Sequence, residues 1–386
     1  MQNKIPLTVL FLANGDVRNP LASSGTPANI LRCLESLFEQ AIPVNISLQG
    51  LARLINIVRA FSPSRERWKY RLDLNFAAFA QRSALAHTKV TNVQLPIGAV
   101  VQMGGMWSPP RVNNVPLFLW LDFTNAIARR EFPDWVPFRS PRAAQRWFEA
   151  EREVYRRAAM IFVYSERVRR SLIEDYGVAD TRIRVVGCGT NITSHTDLDK
   201  RYDGHTILFV GRDFHRKGGE ILLKAFAKVR AQIPDARLQV VGPPPGSVGE
   251  QPGVEFLGWV SDREHLLRLF AEADVYAMPS LCEPFGQAFI EAMSFKLPCV
   301  GTDTGGVPDI IEEGVTGYMI PRGDTTALAD RLITLLSDAQ LCRRLGEAGL
   351  QKAHTAFQWS VVFAKVRAGM ESTLETWEHE QRDVAA

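Results

Sequence analysis

Short apolar runs alternate with helical segments along the whole chain, and this alternation limits the possible folds more than any other feature of the sequence. Within each run Val, Ile, Leu and Phe occupy successive positions, which is typical of strands buried on both faces of a parallel sheet. Strands that alternate with helices of about 10–15 residues form βαβ units. The sequence therefore predicts an α/β protein with parallel sheets.

The alternation comes as two series, one in each half of the chain. Strands are predicted in the first half at 7–13, 43–48, 100–103, 116–123, 160–164 and 183–186. Strands are predicted in the second half at 206–210, 237–241, 254–257, 275–278, 298–301 and 317–320. The polar stretch 193–205 separates the series and is the expected hinge. At about 150 residues per domain, the chain length suggests two to three domains, and the two series favour two doubly wound Rossmann-like domains that face a central cleft.

The tail of the chain adds one further element. Apolar residues recur at helical spacing in 361–377, among them Val362, Val366 and Met370, and they predict an amphipathic helix. From sequence alone this helix packs on the second domain or crosses back onto the first. The expected N-terminal domain is 1–195, and the expected C-terminal domain is 196–360.

Composition excludes secreted, membrane-spanning, fibrous and disordered classes. No run approaches the roughly 18 apolar residues that a membrane-spanning helix needs. The apolar start 5–13 is short and is followed by Asn14-Gly15-Asp16, which favours a first β-strand over a signal peptide. The five cysteines are scattered and form no Cys-x-x-Cys pair, so a disulfide framework and a structural zinc site are not expected. A reducing, cytoplasmic location fits this pattern.

The net charge of +3 conceals an uneven distribution. Residues 1–195 hold 25 Lys and Arg against 15 Asp and Glu, whereas residues 196–386 hold 20 against 27. This basic half indicates an anionic partner or surface, and ordinary scatter of solvated arginines is the alternative. Basic residues concentrate in 51–71, beside apolar residues at helical spacing. That segment suits peripheral contact with the inner membrane face, acceptor contact without a membrane, or a plain surface helix. A nucleic-acid partner is not expected, because aromatic residues are sparse there.

The segment 209–219 combines a strand end, two cations and a helix start. A predicted strand ends at Val210, Gly211 permits the turn, and Arg212 and Lys217 follow before a helix opens after Gly219. Free backbone N–H groups and the helix dipole at such a start favour an anion, and the two cations add to this field. The segment therefore indicates a phosphate site, with a solvated loop as the alternative.

A second segment, 279–292, carries two carboxylates. Glu283 lies in the loop after a predicted strand, and Glu291 lies on the second turn of the helix that follows. Carboxylate oxygens accept hydrogen bonds from neighbouring hydroxyl groups, as a sugar or a ribose would supply. A helix-dipole carboxylate and a solvated one are the structural alternatives for these two residues.

Several motifs in one order resemble family 4 of the retaining glycosyltransferases, also called group 1, whose fold is GT-B. The resemblance is strong over most of 200–360 and looser in the first half. The motifs that carry it are Gly211-Arg212 with Lys217-Gly218, Phe256-Leu257-Gly258, Pro279-Ser280, the Glu-x7-Glu element from Glu283 to Glu291, Thr304-Gly305-Gly306-Val307-Pro308-Asp309 and Glu313-Gly314-Val315-Thr316-Gly317.

The resemblance implies a role for each matching residue. Arg212 and Lys217 would hold the diphosphate of the donor, next to Gly211. Glu283 and the backbone of Phe285-Gly286-Gln287 would engage the donor sugar. Glu291 would bind the ribose hydroxyls, and Trp259 and Val260, beside Gly258, would face the base. Gly25 and Thr26, within Ser23-Ser24-Gly25-Thr26-Pro27, resemble the glycine loop that approaches the diphosphate. The tail helix, about 361–386, would join the first domain.

One departure from the family concerns the histidine that many relatives carry near the donor sugar. The corresponding segment here is Leu119-Trp120-Leu121-Asp122-Phe123-Thr124-Asn125, so Asp122 takes the sugar-contacting place or is only a cap at the strand end. The expected catalytic residues are therefore Glu283, Arg212, Lys217 and Asp122.

The resemblance implies transfer of a sugar from a UDP- or GDP-sugar to an acceptor hydroxyl, with retention and without a metal. The acceptor would be a saccharide, a lipid-linked compound or a small molecule, in bacterial polysaccharide, glycolipid or glycoconjugate synthesis. Cations and helix N-termini would stabilise the leaving diphosphate. An epimerase or phosphorylase of the same fold, or a silent sugar-nucleotide-binding scaffold, is the alternative. The Asp197-x-Asp199 pair is interpreted as a solvated loop, since no apolar strand precedes it.

Overall fold

The computed structural model describes residues 4–18, 25–109, 112, 115–192, 199–203, 205–247 and 249–385. The chain divides into two compact units, Met1–Gly187 with Val362–Ala386, and Cys188–Val361. The first boundary lies at 187/188, whereas the sequence places it at 195/196. Most of the expected hinge, 193–198 with 204, lies outside the described residues.

The first unit is built on a six-stranded sheet in which neighbouring strands are parallel. Its strands are β1 (Ile5–Ala13), β2 (Phe38–Asn45), β3 (Ala99–Met103), β4 (Leu117–Leu121), β5 (Met160–Val163) and β6 (Ile183–Val185). Their order is β2-β1-β3-β4-β5-β6, so the direction of winding reverses between β1 and β3. Sheets of this order are doubly wound, with helices on both faces.

Seven helices are described in the body of the first unit. They are α1 (Thr26–Leu37), α2 (Gly50–Ala60), α3 (Arg65–Asp73), α4 (Phe76–Thr91), α5 (Asn125–Glu131), α6 (Pro141–Arg157) and α7 (Glu166–Glu174). Side-chain caps fix several starts: Asn75 accepts from the Ala78 N–H, and Ser140 accepts from the Ala143 N–H. Strands β3, β4 and β5 are almost wholly buried, which explains their uninterrupted apolar sequence.

The second unit repeats this architecture with a different strand order. Its strands are β7 (Thr206–Val210), β8 (Arg237–Val241), β9 (Val254–Gly258), β10 (Val275–Met278), β11 (Cys299–Thr302) and β12 (Gly317–Ile320), in the order β12-β11-β10-β7-β8-β9. Counted from β7, this is the 3-2-1-4-5-6 order of dinucleotide-binding sheets. The winding reverses between β7 and β10, and ligands of such sheets bind at the carboxyl ends of the strands at that point.

The helices of the second unit lie between these strands and after them. They are α8 (Gly219–Gln232), α9 (Arg263–Glu272), α10 (Gln287–Met293), α11 (Val307–Ile310), α12 (Thr325–Leu336) and α13 (Ala339–Ala356). Strands β10 and β11 are buried along their whole length, so side chains on both faces of the sheet are covered. The two predicted six-strand parallel sheets and the α/β class are thus confirmed.

A long helix, α14 (Trp359–Ala385), ends the described chain. Val362, Val366 and Met370 are buried on it, as the amphipathic pattern predicts. Gly369 leaves no room for a Cβ atom beside the Phe162 ring of β5, and the Thr373 hydroxyl lies 3.7 Å from the Met160 sulfur. The helix therefore packs on the first unit, across β5.

Several observed elements before residue 95 differ from the predicted ones, and the helices α5, α7 and α13 were not predicted either. Strand β2 spans 38–45 rather than 43–48, because the buried Phe38 begins it directly after α1. The basic segment 51–71 falls into two helices, α2 and α3, separated by Pro63 and its neighbours. Helix α4 was not predicted, since alanines occupy many of its positions and give no clear apolar period.

Candidate functional site

The loops that follow β7 and β10 lie at the point where the second sheet reverses its winding. Val275 pairs with Ile207, and Tyr276 pairs with Leu208, so the two strands are neighbours. The β7 loop runs from Gly211 to α8, and the β10 loop runs from Pro279 to α10. These are the two segments, 209–219 and 279–292, that the sequence singles out.

The two loops are held against each other by backbone contacts. The Leu281 N–H donates to the Arg216 carbonyl at 2.8 Å. Gly218 has a φ of +75°, and a Cβ atom there would overlap the Pro279 carbonyl oxygen. Only glycine combines this left-handed conformation with so close an approach. The cations of the first loop are therefore fixed relative to the carboxylate of the second.

Glu283 is the centre of a buried charged cluster. Its side chain is 7% exposed, and its Oε2 lies 2.8 Å from Lys217 Nζ and 3.5 Å from Arg216 Nη1. The Ser280 hydroxyl donates to the same oxygen at 3.3 Å. Burial raises the pKa of Glu283, but the attraction of Lys217 and Arg216 outweighs it and leaves the pKa below its ordinary value. Glu283 is therefore an ionised carboxylate at neutral pH.

Arg216 belongs to this cluster, although the sequence motifs did not single it out. Its Nη1 donates to the Cys282 carbonyl at 2.7 Å, and its Nε lies 3.3 Å from Asp213 Oδ2. The available signal was its position one residue before Lys217, in the same basic loop. Arg216 ties the β7 loop to the β10 loop immediately beside Glu283.

Arg212 occupies a different part of the same strand edge. Its guanidinium carbon lies 4.3 Å from the centroid of the Trp259 ring, within the range of a cation–π contact. Trp259 follows β9 and is 62% exposed, and Val260 next to it is partly buried. The residue expected at the diphosphate and the residue expected at the base are thus in direct contact.

Glu291 lies on α10, eight residues after Glu283. It is partly buried, and this burial raises its pKa to about 7 although Arg263 and Lys217 oppose the shift. Gly286, with a φ of +105°, is the residue before the helix, and Phe285 is buried. The Gln287 amide donates to the Gly189 carbonyl at 3.1 Å, so its side chain is used within the second unit.

A third loop supports the carboxylate from outside. Gly305 has a φ of +53°, and a Cβ atom there would overlap the Glu283 carbonyl oxygen. A Cβ atom at Gly306 would lie 2.6 Å from the Phe285 ring. Because neither glycine has a side chain, the loop after β11 can pack directly against the backbone of Glu283 and the ring of Phe285.

The remaining predicted residues belong to the first unit. Gly25 has a φ of +76° and is the residue before α1, which begins at the buried Thr26. Ser23 and Ser24 of the expected glycine loop lie outside the described residues. Asp122 follows β4 and is exposed. Asp122 directly follows β4, so it lies at the carboxyl end of its strand, the edge at which doubly wound sheets bind ligands.

The first unit also has a cavity at this edge, which we call the strand-end cavity. Its volume is about 340 Å³, and it is lined by Asn14, Ser47, Leu48, Gln49, Arg53, Asn56, Ile57, Leu72, Asp73 and Arg82. Arg82 is buried and paired with Asp73 at 2.5 Å, and its Nε has no hydrogen-bond partner. The cavity thus offers guanidinium, amide and carboxylate groups together.

The described residues contain neither a metal-ligand cluster nor a membrane-spanning helix. No group of three or more His, Cys, Asp or Glu side chains in that part of the chain is arranged to hold a metal ion. Asp199 is exposed, and Asp197 lies outside the described ranges. None of the described helices combines the length and the apolar content that spanning a bilayer requires.

Comparison with known proteins identifies the class that this architecture defines. Residues 192–352 match the family "Glycosyl transferases group 1", and residues 106–194 match "Glycosyltransferase Family 4". The structure is similar to the crystal structure of Anabaena Alr3699/HepE in complex with UDP. The TM-score is 0.68 at 18% sequence identity, and the match covers 95% of this chain and 100% of that chain. The likeness in structure shows that the fold is GT-B.

Relatives of known activity match over part of their length. N-acetyl-alpha-D-glucosaminyl L-malate synthase of Bacillus anthracis is 34% identical over 176 residues, 42% of this chain and 45% of that protein. D-inositol 3-phosphate glycosyltransferase of Corynebacterium glutamicum is 30% identical over 242 residues, 56% of this chain and 58% of that protein. The chain spans about half the length of these relatives. It belongs to the group 1 glycosyltransferases of glycosyltransferase family 4.

Proposed function

We propose that this protein transfers a sugar from a UDP- or GDP-sugar to an acceptor hydroxyl, with retention of the anomeric configuration. The observation that carries the proposal is the buried contact of Lys217 and Arg216 with Glu283 where the second sheet reverses its winding. Cations and a carboxylate at that place suit a ligand with both a diphosphate and sugar hydroxyls. The matching family and the UDP named with the Anabaena structure support the same donor class.

The reaction needs stabilisation of the leaving nucleotide diphosphate while the anomeric carbon becomes cationic. In the proposed mechanism Lys217 and Arg212 hold the diphosphate, and their preorganised charge stabilises it as it leaves without a metal ion. The acceptor oxygen forms its bond to the anomeric carbon on the face that the diphosphate leaves. The acceptor proton passes to a diphosphate oxygen, so atoms and charge balance. Glu283, ionised and held by two cations, orients the donor sugar rather than attacking it.

We assign the donor to the second unit and the acceptor to the first. The strand-end cavity supports this assignment because it lies at the carboxyl ends of β1 and β2. The names of the two relatives contain L-malate and D-inositol 3-phosphate, which are hydroxyl compounds with negative charges. Arg53 and Arg82 would bind such a charge, and Asn14 and Asn56 would bind hydroxyl groups. An anionic hydroxyl compound is therefore the proposed acceptor class.

Helix α2 supports a peripheral contact with an anionic membrane face in the cytoplasm. Arg53, Asn56 and Ile57 line the strand-end cavity, while Leu51, Leu54 and Val58 lie on the opposite side of the helix. Leu51 and Val58 are 72% and 73% exposed. Exposed apolar side chains next to arginines are suited to an anionic bilayer surface. A lipid-linked acceptor would then reach the cavity from the membrane.

A panel of nucleotide sugars tests the proposal. Bound ligand raises the apparent stability of the folded protein by mass action, so the correct donor should raise the melting temperature in a dose-dependent way. The candidate donor is then incubated with anionic hydroxyl acceptors, and the product is analysed for a new α- or β-glycosidic bond. Conversion of the donor without an acceptor would favour an epimerase, phosphate-dependent turnover would favour a phosphorylase, and binding without turnover would favour a scaffold. No stabilisation by UDP- or GDP-sugars would contradict the donor class.

A further inference from the structure

The first unit holds a second cavity, lined by four arginines, which we call the arginine cavity. Its volume is about 320 Å³. It lies among the end of α2, the end of α3, the start of α4, the segment 137–139 and α6. Its arginines are Arg59, Arg71, Arg139 and Arg146, and most of its other lining residues are apolar or aromatic. None of these arginines takes part in the proposed transfer.

Among the described residues, no carboxylate pairs with these four positive charges. The lining contains no Asp or Glu, and none of the four arginines forms an ion pair with a described carboxylate. Elsewhere in the same unit, by contrast, Arg82 pairs with Asp73 and Arg169 pairs with Asp180. Burial and the neighbouring Arg139 and Arg67 lower the pKa of Arg71, in agreement with a local excess of positive charge.

Contacts within the unit hold three of the arginines in place. Arg71 Nε donates to the Pro137 carbonyl at 2.9 Å, and Arg139 Nη2 donates to the Arg59 carbonyl at 2.5 Å. The Arg146 guanidinium lies 3.5 Å from the centroid of the Phe76 ring. Each contact uses part of a guanidinium and leaves further N–H donors. These contacts therefore keep the three guanidinium groups at the cavity although their positive charges repel one another.

Apart from Asn75, the remaining walls are apolar and aromatic, with Leu74, Phe138 and Trp147 beside the arginines. A small inorganic ion would leave these walls uncovered, whereas a phosphate attached to an apolar or aromatic body would contact both. Guanidinium groups bind phosphate oxygens in pairs, and several of them together favour phosphate over a single carboxylate. The exposed Val58 and Phe61 lie beside Arg59 on the same stretch of chain.

We propose that the arginine cavity is a phosphate-binding site for a ligand with an apolar or aromatic body, separate from the donor site of the second unit. The phosphate belongs either to a soluble phosphate ester or to the headgroup of an anionic phospholipid. A phospholipid headgroup would bind in the cavity while the exposed face of α2 contacts the membrane. Only this alternative depends on the membrane contact proposed above.

The test compares two double variants with equal changes of charge. In R59Q/R146Q two cavity arginines become neutral; Arg59 is chosen because no described hydrogen bond or ion pair involves its side chain. The control R32Q/R170Q removes two exposed arginines of the first unit, on α1 and α7, that do not line the cavity. The full-length protein is saturated with UDP, so that the donor site does not bind the probe. Phenyl phosphate is then titrated by calorimetry, and phosphatidylglycerol vesicles are used in a flotation assay beside phosphatidylcholine vesicles.

The wild type and R32Q/R170Q are expected to bind one of the two probes, and R59Q/R146Q is expected to bind it at least about tenfold more weakly. Binding of phenyl phosphate identifies a soluble ester, and binding of phosphatidylglycerol vesicles alone identifies the headgroup. The unliganded R59Q variant should melt no lower than the wild type, because a repelling charge is removed; a lower melting temperature would indicate a merely structural arginine. Failure of both probes, or equal losses in both double variants, would overturn the proposal. UDP affinity measured on the same samples tests the donor site independently.

Discussion

Lys217 Nζ lies 2.8 Å from Glu283 Oε2, and this buried ion pair joins the loops that follow β7 and β10. Arg216 lies 3.5 Å from the same carboxylate oxygen, so one negative charge faces two positive ones. A donor diphosphate at this site would share Lys217 with Glu283. The cluster is thus suited to bind a dianion while keeping the carboxylate ionised and fixed in position.

Replacing Glu283 by Gln should separate catalysis from binding. The amide keeps the size of the side chain but frees Lys217 and Arg216 from their negative partner, so affinity for UDP should be unchanged or tighter. Loss of the group that orients the sugar should lower the rate of donor turnover by about 10²–10³-fold. Single-turnover measurements and calorimetry on the same preparation give both quantities. Glu283→Ala should abolish transfer, and circular dichroism checks that the fold survives. Near-normal turnover in either variant would remove Glu283 from the reaction.

Replacing both Arg212 and Lys217 by Ala should weaken binding of the nucleotide diphosphate. Each charged hydrogen bond is worth about 1.5–3 kcal/mol, so the combined loss should reach at least roughly 100-fold in Kd. Calorimetry with UDP and GDP measures the effect. The control R322A/K224A changes the same charges at exposed positions of the second unit. Equal affinity in the two double variants would contradict the assigned diphosphate site.

Transfer should persist when divalent ions are removed. The proposed stabilisation of the leaving diphosphate comes from Arg212 and Lys217, whose charges do not depend on a metal. Donor turnover measured with EDTA should therefore stay within about twofold of the rate with Mg²⁺. A strict requirement for Mg²⁺ or Mn²⁺ would show that the side-chain charges are insufficient.

Binding of the donor should become tighter as the pH rises from about 6 to 8. The pKa of Glu291 is raised to about 7 by burial, and the carboxylate form accepts hydrogen bonds from ribose hydroxyls better than the protonated form. A nucleotide sugar is the suitable probe, because its diphosphate diester has no ionisation in this range. The variant E291Q should bind more weakly and lose the pH dependence. An unchanged pH profile in E291Q would exclude Glu291 as its source.

The raised pKa of Glu291 also predicts that the folded protein becomes less stable as the pH rises, whereas donor binding becomes tighter. The pKa of Glu291 is higher in the folded protein than its ordinary value of 4.5, so the folded state takes up the proton more readily. The contribution of this residue to the free energy of unfolding is therefore largest below pH 4.5 and declines as the pH rises to about 7. Comparison of wild type and E291Q by urea unfolding at pH 5 and pH 8 isolates it. A stability difference that stays constant between these pH values would contradict the raised pKa.

The fold could be predicted largely from the sequence, because buried parallel strands reveal themselves by uninterrupted apolar runs. Strands β7, β8, β10 and β12 have the predicted bounds, whereas β2 does not, since its exposed positions blur the run. Glu283 and Lys217 could be named from motifs. Their contact could not, because it depends on the packing of loops 66 residues apart. Arg216 and the arginine cavity were missed for a similar reason: Arg216 meets Glu283 only through the packing of the two loops, and the four arginines come from four separate elements.

Gly305, which follows β11, should be needed to keep the Glu283 loop in place for donor turnover. In Gly305→Ala the new Cβ atom would overlap the Glu283 carbonyl oxygen, so the carboxylate loop must move. Gly314→Ala is the matched control, because Gly314 also has a positive φ, +72°, but has nothing within 4 Å of a Cβ atom. Both variants carry the strain of a left-handed alanine, about 1–2 kcal/mol, and only the first displaces Glu283. We expect a similar modest loss of stability from strain in both variants, and a further loss of stability in Gly305→Ala. Donor turnover should fall about tenfold or more in Gly305→Ala alone. Equal turnover in the two alanine variants would show that the position of the Glu283 loop does not control the reaction.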